Sequence, residues 1–278
     1  MRQTWRWLSG LGVVTAVGAS LLGQGTAASA GTAAVAGTAA AGAAAAPARA
    51  AASARAAARA AADVPAWVPV KKKLTPGMHG ADVEKVQRRL RALKYYPGKI
   101  DGVFGPDTEE AVWAFKEVQG LRTRNNPDDI GGTMEGRLAS PRAPRMLISH
   151  PRRNMIEISL KHEYLVLFRH GKVRMISHVS TGGGYYYPCP GGGGTCGPAI
   201  TPTGDFDTLS FFPGWVTVPL GEMYNPVFFI GTAYAIHGDT VVPRTPASHG
   251  CVRIPMDVAA FFHDLVKVPG TPVYIRDR

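Results

Sequence analysis

The chain has 278 residues, which is more than one average domain and predicts roughly two. Hydrophobic residues make up 45% and charged residues 18%, which allows a packed core, and 33 glycines with 22 prolines predict many turns in a mainly β protein with some helix. The formal net charge of +11 is compatible with nucleic acid, membranes or acidic polymers, but the basic residues are scattered and no nucleic-acid-binding motif is present, so a basic surface without a nucleic-acid partner is favoured.

Residues 1–30 have the layout of a secretory signal peptide. Arg2 and Arg6 precede an uncharged apolar run over 8–23, and a small-residue cleavage site follows at 28–30. The apolar run is shorter than the roughly 20 residues of a spanning helix. We therefore expect an exported protein at the extracellular face of the membrane or in the cell wall, with no stable membrane span after cleavage. An uncleaved anchor is the alternative.

Residues 31–73 are interpreted as a linker. Up to about residue 64 they are almost all alanine with glycine, threonine, serine and a few arginines, a composition that cannot bury a core. We expect a tether that is partly helical, because alanine has the highest helix propensity.

Residues 74–140 predict a small helical bundle. Apolar residues repeat at helical spacing from Val83 to Leu93, and Pro97 with Gly98 ends that helix. A second helix begins near Pro106. Between the helices, a turn is predicted at 101–105, DGVFG.

This segment resembles the peptidoglycan-binding domain type 1 family, over about fifty residues. The matching positions are Gly80, Asp82, Val83, Gln87, Leu90, 101–105, Thr108, Ala111, Val112, Phe115, Gly120 and Leu121. The resemblance implies binding to the wall polymer and a third helix, but residues 122–140 are longer than the family pattern and only loosely similar to it, so the third helix is left open. Residues 141–145, PRAPR, are interpreted as a linker.

Residues 146–278 predict a β-rich domain, which makes the fold class α+β: a small helical bundle followed by a β-rich domain. Alternating patterns and turn residues predict strands at 155–160, 163–169, 172–180, 214–218, 227–237 and 271–276. One helix is predicted over 256–266.

The chain has three cysteines. Cys189 and Cys196 lie seven positions apart with glycines between them, and a local disulfide is the natural hypothesis in an exported protein. Two free thiols are the alternative, and a zinc site is less favoured because no nearby ligands complete it. A Cys189–Cys196 pair leaves Cys251 alone.

Cys251 lies in a stretch, PASHGCVRIP, that suits nucleophilic catalysis better than simple core packing. A thiol is only a small fraction thiolate at neutral pH, so a nucleophilic cysteine needs a base. His249 precedes it by two residues, and His237 ends a strand-like run. Gly250 would let the backbone turn so that N–H groups face a developing oxyanion. These residue types together are what acyl transfer requires.

At this point IHGDTVVPRTPASHGCVRIP resembles the signature of the L,D-transpeptidase (YkuD-type) catalytic domain, and HVSTG at 178–182 and TPTGDF at 201–206 agree with it. The resemblance covers about 146–278. It implies a YkuD-like fold, with Cys251 as nucleophile, His237 as general base and His249 as a further catalytic-site histidine. Further implied roles are site shaping and the oxyanion hole for Ser248, Gly250 and Gly238, and contact with the substrate carboxylate or the site loop for Arg253.

The resemblance implies peptidoglycan as partner and no metal or other cofactor. In the implied reaction, Cys251 attacks the carbonyl between the third residue of a stem tetrapeptide and its terminal D-Ala, D-Ala leaves, and an amine from a neighbouring stem resolves the thioester into a 3→3 cross-link. Water as acceptor would make the protein an L,D-carboxypeptidase. We expect a monomer. The segment between His237 and Ser248 is a few residues shorter than in many members, and the insert carrying Cys189 and Cys196 is unusual.

Three other classes of protein are compatible with parts of the pattern. Papain-like or NlpC/P60-like peptidases place the cysteine before its histidine, and here only His263, in a predicted apolar helix, follows Cys251. A zinc site at His237, His249 and Cys251 is chemically possible but lacks an accompanying carboxylate motif. A non-catalytic wall-binding protein is the remaining alternative.

Overall fold

The computed structural model describes residues 66–121 and 128–278. The predicted signal peptide and most of the predicted alanine-rich linker lie outside the described residues. Within the described part of the chain, no helix combines the length and the apolar character needed to cross a membrane.

The helical region consists of α1 (Ala81–Ala92), α2 (Pro106–Gln119) and α3 (Gly132–Ala139). The helix predicted from the apolar repeat is confirmed as α1, which buries Val83, Val86 and Leu90 on one face. α2 begins at Pro106, where the missing N–H costs nothing, and ends at Gly120 in the left-handed conformation. The third helix, which the sequence left open, is α3.

Gln87 fixes the DGVFG turn between α1 and α2. Its side-chain amide donates to Asp101 Oδ1 at 3.1 Å and to the Val103 carbonyl at 2.9 Å, and its Oε1 accepts from the Gly102 N–H at 2.9 Å. Gly102 has φ 72°, a conformation that favours glycine. The turn is thus held by a side chain that is itself buried in the bundle.

The β-rich domain contains twelve strands and one helix within the described residues. The strands are β1 Met155–Ser159, β2 Tyr164–Arg169, β3 Lys172–His178, β4 Tyr186–Pro188, β5 Thr195–Pro198, β6 Gly204–Asp207, β7 Ser210–Phe211, β8 Trp215–Val218, β9 Gly221–Ile230, β10 Tyr234–Gly238, β11 Val252–Ile254 and β12 Pro272–Arg276. The helix, α4, spans Met256–Leu265.

The strands form two five-stranded sheets and a hairpin. The first sheet has the order β3-β2-β1-β12-β6, with β1 and β12 parallel. The second has the order β11-β10-β9-β7, with β8 also paired to β9. The hairpin β4–β5 forms a separate two-stranded sheet. A core of residues from both large sheets and α4, including Ile156, Ile236, Val252 and Phe262, lies between them.

The predicted strand over 227–237 is wrong as one element, because it is two antiparallel strands, β9 and β10, joined by a turn after Ile230. Gly231 has φ 49° at this turn. Apolar residues continue on both sides of the turn, so the hydrophobic pattern shows no break there. His170 and Gly171, both at positive φ, form the turn that joins β2 to β3.

The helical region and the β-rich domain share a hydrophobic core. One buried cluster contains Val86, Leu90 and Phe115 from the helices together with Tyr164 and Ile176 from the first sheet. Residues 141–145 are irregular, as a linker would be, but they do not leave the two regions as separate bodies. The helical bundle is therefore packed directly on the domain that carries the cysteine and histidine pattern.

Candidate active site

Two neighbouring parallel strands bring His237 and Cys251 together. His237 pairs in register with Arg253, and Ile236 pairs with Val252, so Cys251 immediately precedes the first paired residue of β11. Because side chains alternate along a strand, His237 and Cys251 lie on the same face, opposite the face on which Ile236 and Val252 enter the core. The thirteen residues between His237 and Cys251 in the sequence form a loop whose ends are joined by this strand pairing.

A backbone carbonyl fixes the tautomer of His237. The ring is 4% exposed, and its Nδ1 lies 2.9 Å from the Gly238 carbonyl oxygen. A carbonyl oxygen only accepts, so Nδ1 carries the proton and Nε2 of the neutral ring has a free lone pair. Burial lowers the pKa of His237. The histidine is therefore held neutral and able to accept a proton at Nε2.

Cys251 is a free, partly exposed cysteine. Burial of its sulfur raises the pKa of the thiol, while the backbone of Ala235 and the charge of Arg253 lower it by less. Its Sγ lies 3.7 Å from the Ala233 carbonyl oxygen, which a thiol can reach as donor. The resting site therefore combines a neutral imidazole with a protonated thiol.

Ser248 holds the turn that presents Cys251. Its Oγ donates to the Cys251 carbonyl at 2.5 Å and accepts from the Gly250 N–H at 3.0 Å. The Gly250 N–H is thus occupied by the Ser248 hydroxyl. Gly250 has φ 134°, and a Cβ there would lie 2.7 Å from the Tyr234 ring. Its role in this conformation is to permit the turn.

Thr201, which was not among the predicted site residues, supports the same turn through its hydroxyl group. Its Oγ1 accepts from the Gly182 N–H at 2.8 Å and donates to the Gly250 carbonyl at 2.7 Å. The only sequence signal for it was the TPTGDF segment itself. The hydroxyl links the segment after β3 to the turn that carries the cysteine.

His249 faces away from the turn toward the β4–β5 hairpin. Its ring contacts Tyr187 and Tyr185 edge-on, at centroid distances of 4.7 and 5.5 Å. Partial burial, followed by the charge of Arg253, lowers the pKa of His249. Cys189 and Cys196 form a disulfide across the hairpin, with their Cα atoms 4.8 Å apart. The unusual insert is therefore a clamped hairpin that packs on a predicted site residue.

Arg253 and Gly238 lie at the border of the site. The Arg253 Nε lies 3.1 Å from Asp239 Oδ2, in the segment that follows β10, so this side chain contacts the site loop. A Cβ at Gly238 would lie 2.6 Å from the Cβ of Ala259 in α4, so glycine allows the helix to pack on β10. The predicted site residues thus fall into two groups. Cys251 and His237 are the reactive pair, and the others shape or border the site: Gly238, Ser248, His249, Gly250 and Arg253.

One group of three carboxylates among residues 66–121 and 128–278 has ligand atoms within 4.8 Å of one another, and it consists of Asp107, Glu110 and Asp257. His237, His249 and Cys251 do not form such a group. His263, the histidine weighed for a papain-like order, stacks on Phe211 at 4.4 Å and is partly exposed.

Comparisons with known proteins agree with this architecture. Residues 79–123 match the putative peptidoglycan binding domain family, and residues 153–275 match the L,D-transpeptidase catalytic domain family. The solved structure of an L,D-transpeptidase from Xylanimonas cellulosilytica DSM 15894 is 32% identical, with a TM-score of 0.67 over 76% of this chain and 100% of that one.

Curated relatives match over a short stretch. N-acetylmuramoyl-L-alanine amidases XlyA and CwlA of Bacillus subtilis (strain 168) are 49% and 41% identical over 53 and 56 residues, which is 17% and 18% of this chain. The chain spans only 18% and 21% of the length of these two proteins.

The fold and the matched regions define a two-part protein, a peptidoglycan-binding region followed by a β-rich enzyme domain. The chain belongs to the L,D-transpeptidase family, with a YkuD-type catalytic domain.

Proposed function

We propose that this protein forms 3→3 cross-links in peptidoglycan by acyl transfer through a thioester on Cys251. The observation that carries the proposal is the pairing of β10 with β11, which sets His237 and Cys251 on one face while the Gly238 carbonyl leaves His237 Nε2 unprotonated. A neutral base beside a protonated thiol is the arrangement from which a nucleophile is generated on demand.

In the acylation step, His237 Nε2 takes the proton of Cys251 as the sulfur attacks the carbonyl between the third residue of a stem tetrapeptide and D-Ala. The C–N bond then breaks, the imidazolium returns the proton to the leaving amine, and D-Ala departs. The third residue of the stem remains bound to Sγ as a thioester. Backbone N–H groups of the turn at 249–251 other than that of Gly250 are the proposed oxyanion donors.

In the second step, an amine of a neighbouring stem attacks the thioester carbonyl. His237 accepts the proton of that amine, the C–S bond breaks, and the thiolate recovers a proton from His237. The product is a cross-link between the third residues of two stems, and the enzyme is regenerated. These steps use side chains of this chain and substrate groups alone, so the proposal includes no cofactor.

The supporting residues have distinct proposed roles. Ser248 and Gly250 shape the turn. Gly238 orients His237 through its carbonyl group and leaves space for α4 to pack on β10. His249 forms one wall of the site together with Tyr185 and Tyr187. Arg253 fixes the loop through Asp239. We propose that the exported protein works as a monomer in the cell wall, where its helical region binds the polymer.

Mass spectrometry of products tests the proposal. The purified protein and its Cys251→Ala variant are each incubated with a disaccharide-tetrapeptide. We expect cross-linked dimer from the unmodified protein alone. Tripeptide without dimer would identify the protein as an L,D-carboxypeptidase with the same site. No product from either, with wall-polymer binding intact, would leave a non-catalytic binding protein.

A further inference from the structure

A buried histidine joins the peptidoglycan-binding region to the loop that leads into the catalytic turn. This loop, residues 239–250, is called the site loop below. His178, at the end of β3, has a fully buried side chain. Its Nδ1 lies 2.9 Å from Glu117 Oε1 in α2, and its Nε2 lies 3.1 Å from the Pro243 carbonyl oxygen in the site loop. One ring therefore bridges two distant segments.

The hydrogen atoms of this bridge follow from its partners. The Pro243 carbonyl only accepts, so Nε2 carries a proton, and a second proton lies between Nδ1 and Glu117. Burial lowers the pKa of His178, but Glu117, the Pro243 carbonyl and Glu110 together raise it, and the net direction is upward. Burial also raises the pKa of Glu117. Both shifts retain the shared proton, which holds the bridge in one geometry.

Other charged groups around the bridge interact with His178 or change the pKa of Glu117. Glu110 of α2 and Glu163, which precedes β2, both interact electrostatically with His178. Arg244 of the site loop lowers the pKa of Glu117. Carboxyl groups from α2 and from the residue before β2 therefore surround the His178 ring.

A second contact between α2 and the site loop lies beside the first. The Arg244 guanidinium lies 5.9 Å from the centre of the Trp113 ring, which in turn contacts His178 edge-on at 5.3 Å. The Trp113 indole N–H donates to Asp128 Oδ1 at 2.8 Å, which fixes the ring. Trp113 and Glu117 are four residues apart and so lie on one face of the helix.

The catalytic domain holds the rest of the site loop. Ser180 Oγ donates to the Thr245 carbonyl at 2.9 Å, and the Ser248 N–H donates to the Thr181 carbonyl at 2.9 Å. Thr181 is in turn held by two bonds to Glu163. The loop is therefore fixed by β3 and its extension at residues 245 and 248, and by α2 through His178 at residue 243.

We propose that Glu117, acting through His178, is a positioning residue for the catalytic turn, with Trp113 and Arg244 as a second, weaker support. The peptidoglycan-binding region thus contributes to catalysis as part of the scaffold of the active site, and not solely by retaining the enzyme on its polymer. The proposal rests on the proposed reaction at Cys251. It implies that loss of the bridge lowers turnover even of a small soluble substrate that the polymer-binding function cannot help.

The test uses the full chain and four variants. Glu117→Leu removes the acceptor, whereas Glu117→Gln keeps an oxygen that accepts from Nδ1. Arg244→Met changes a partly exposed residue, so it should fold and still test the proposal if Glu117→Leu does not fold. Gln119→Leu is the matched control, because this buried α2 residue exchanges hydrogen bonds with the Arg142 backbone, outside the site loop.

Three measurements separate positioning from stability: the thermal unfolding midpoint, kcat and KM on a soluble disaccharide-tetrapeptide, and the pH profile of Cys251 alkylation by iodoacetamide. We expect Glu117→Leu to lower kcat roughly tenfold to a hundredfold with little change in KM, because small misplacements of catalytic groups are costly. Its alkylation profile should also shift. Arg244→Met should lower kcat less, Glu117→Gln should restore most of kcat, and Gln119→Leu should lower only the unfolding midpoint.

The proposal is overturned if folded Glu117→Leu and Arg244→Met keep the kcat and the alkylation profile of the unmodified protein, or if Gln119→Leu lowers kcat as much as Glu117→Leu. Absence of turnover in the unmodified protein would count against the proposed function alone, because Cys251 alkylation measures the geometry of the turn without substrate.

Discussion

The proposed catalytic pair, His237 and Cys251, combines two opposite pKa shifts. Burial lowers the pKa of His237 and raises that of Cys251, so both groups are uncharged near neutral pH. This differs from a site with a preformed thiolate–imidazolium pair, in which the cysteine is reactive before substrate binds. An uncharged pair protects a thiol in an oxidising compartment, because the thiolate is the form that reacts.

The pH dependence of catalysis follows from these directions. The neutral form of His237 persists below the ordinary histidine value of 6.5, so the acid limb of kcat/KM should fall below that pH. The alkylation rate of Cys251 should still be rising above the ordinary thiol value of 9.0. Initial rates with the tetrapeptide and iodoacetamide over a pH series give both limbs. An acid limb above 6.5 would contradict the assignment of His237 as the neutral base.

Ser248→Ala tests the turn at a single hydroxyl. The change leaves the Gly250 N–H and the Cys251 carbonyl without the Ser248 Oγ partner, and we expect a loss of about 1–3 kcal/mol in unfolding free energy together with lower kcat. Chemical denaturation and steady-state kinetics measure the two effects. Ser248→Thr, which keeps the hydroxyl, is the matched control. Equal losses in both variants would show that packing, and not the hydrogen bonds, matters at this position.

The sequence was sufficient to identify Cys251 and His237 as candidates because the residues that suit them to catalysis lie close by in the chain. It was not sufficient for the bridge at His178, whose partners are 61 and 65 positions away. Nor was it sufficient for the hydrogen bond from the Gly250 N–H to the Ser248 hydroxyl, which depends on the conformation of the turn. Local spacing predicts which side chains can react, whereas the hydrogen bonds that orient them depend on the folded chain.

At the scale of elements, the β4–β5 hairpin contributes Tyr187 to the border of the proposed site, where its ring contacts His249. Its disulfide closes a loop between residues seven apart, and Tyr187 pairs with Cys196 across the hairpin. Burial raises the pKa of Tyr234, and the charges of Tyr187 and Cys251 raise it further. The hairpin therefore lies close enough to Tyr234 to influence the surroundings of Cys251. We therefore expect the disulfide to restrict movement of Tyr187 relative to His249.

Replacing both hairpin cysteines, Cys189→Ser with Cys196→Ser, should raise KM for the stem peptide a few-fold while lowering stability by less than the roughly 3 kcal/mol of a 15-residue loop. Tyr187→Ala with the disulfide intact should reproduce the KM effect. Tyr186→Ala is the control, because this neighbour is 70% exposed and faces the other way on the strand. If KM is unchanged in the cysteine and Tyr187 variants, the hairpin is not a wall of the substrate site.

Element prediction succeeded where the pattern changed sharply and failed where it did not. β1 to β3 have alternating sequence patterns and are separated by short turns. Their bounds were predicted to within a few residues. β9 and β10 were expected as one strand, because the turn at Gly231 is flanked by apolar residues on both sides. The short strands β4 to β7 have no hydrophobic repeat; β4 and β5 pair with each other in a hairpin, whereas β6 pairs with β12, far along the chain.

At the scale of the whole molecule, buried carboxyl groups predict how stability depends on pH. Burial raises the pKa of Glu110 to about 8, and those of Glu157, Glu163 and Asp257 to about 7. Each group binds a proton more tightly in the folded than in the unfolded protein, where the value lies near 4. Stability gained at lower pH is therefore lost as pH rises through these folded pKa values.

We expect the thermal unfolding midpoint to fall between pH 6.5 and about 8, which is the upper part of a loss that begins near the unfolded value of about 4, and to level off above pH 8. The lowered pKa of His237 acts in the opposite direction, but at more acid pH. Glu110→Gln, which cannot ionise, should flatten the dependence, and calorimetry of both proteins over this range measures it. A midpoint that rises with pH in the unmodified protein would contradict the directions given for the buried carboxyl groups.

The shared core explains why the two regions behave as one unit. Phe115 and Leu90 from the helices pack with Ile176 and Tyr164 from the first sheet, so unfolding of either region exposes apolar surface of the other. Residues 141–145 were interpreted as a linker from their composition. Composition identifies a segment without its own core but does not predict the packing of the elements that it connects.

The central claim is that Cys251 carries the acyl group. The most direct measurement is intact-protein and peptide-level mass spectrometry after incubation with a tetrapeptide donor and no amine acceptor. The account predicts release of D-Ala in step with a tripeptide-stem adduct on the peptide that contains Cys251, removed by hydroxylamine as a thioester is. Release of D-Ala by the Cys251→Ala variant, or an adduct on a different residue, would contradict it.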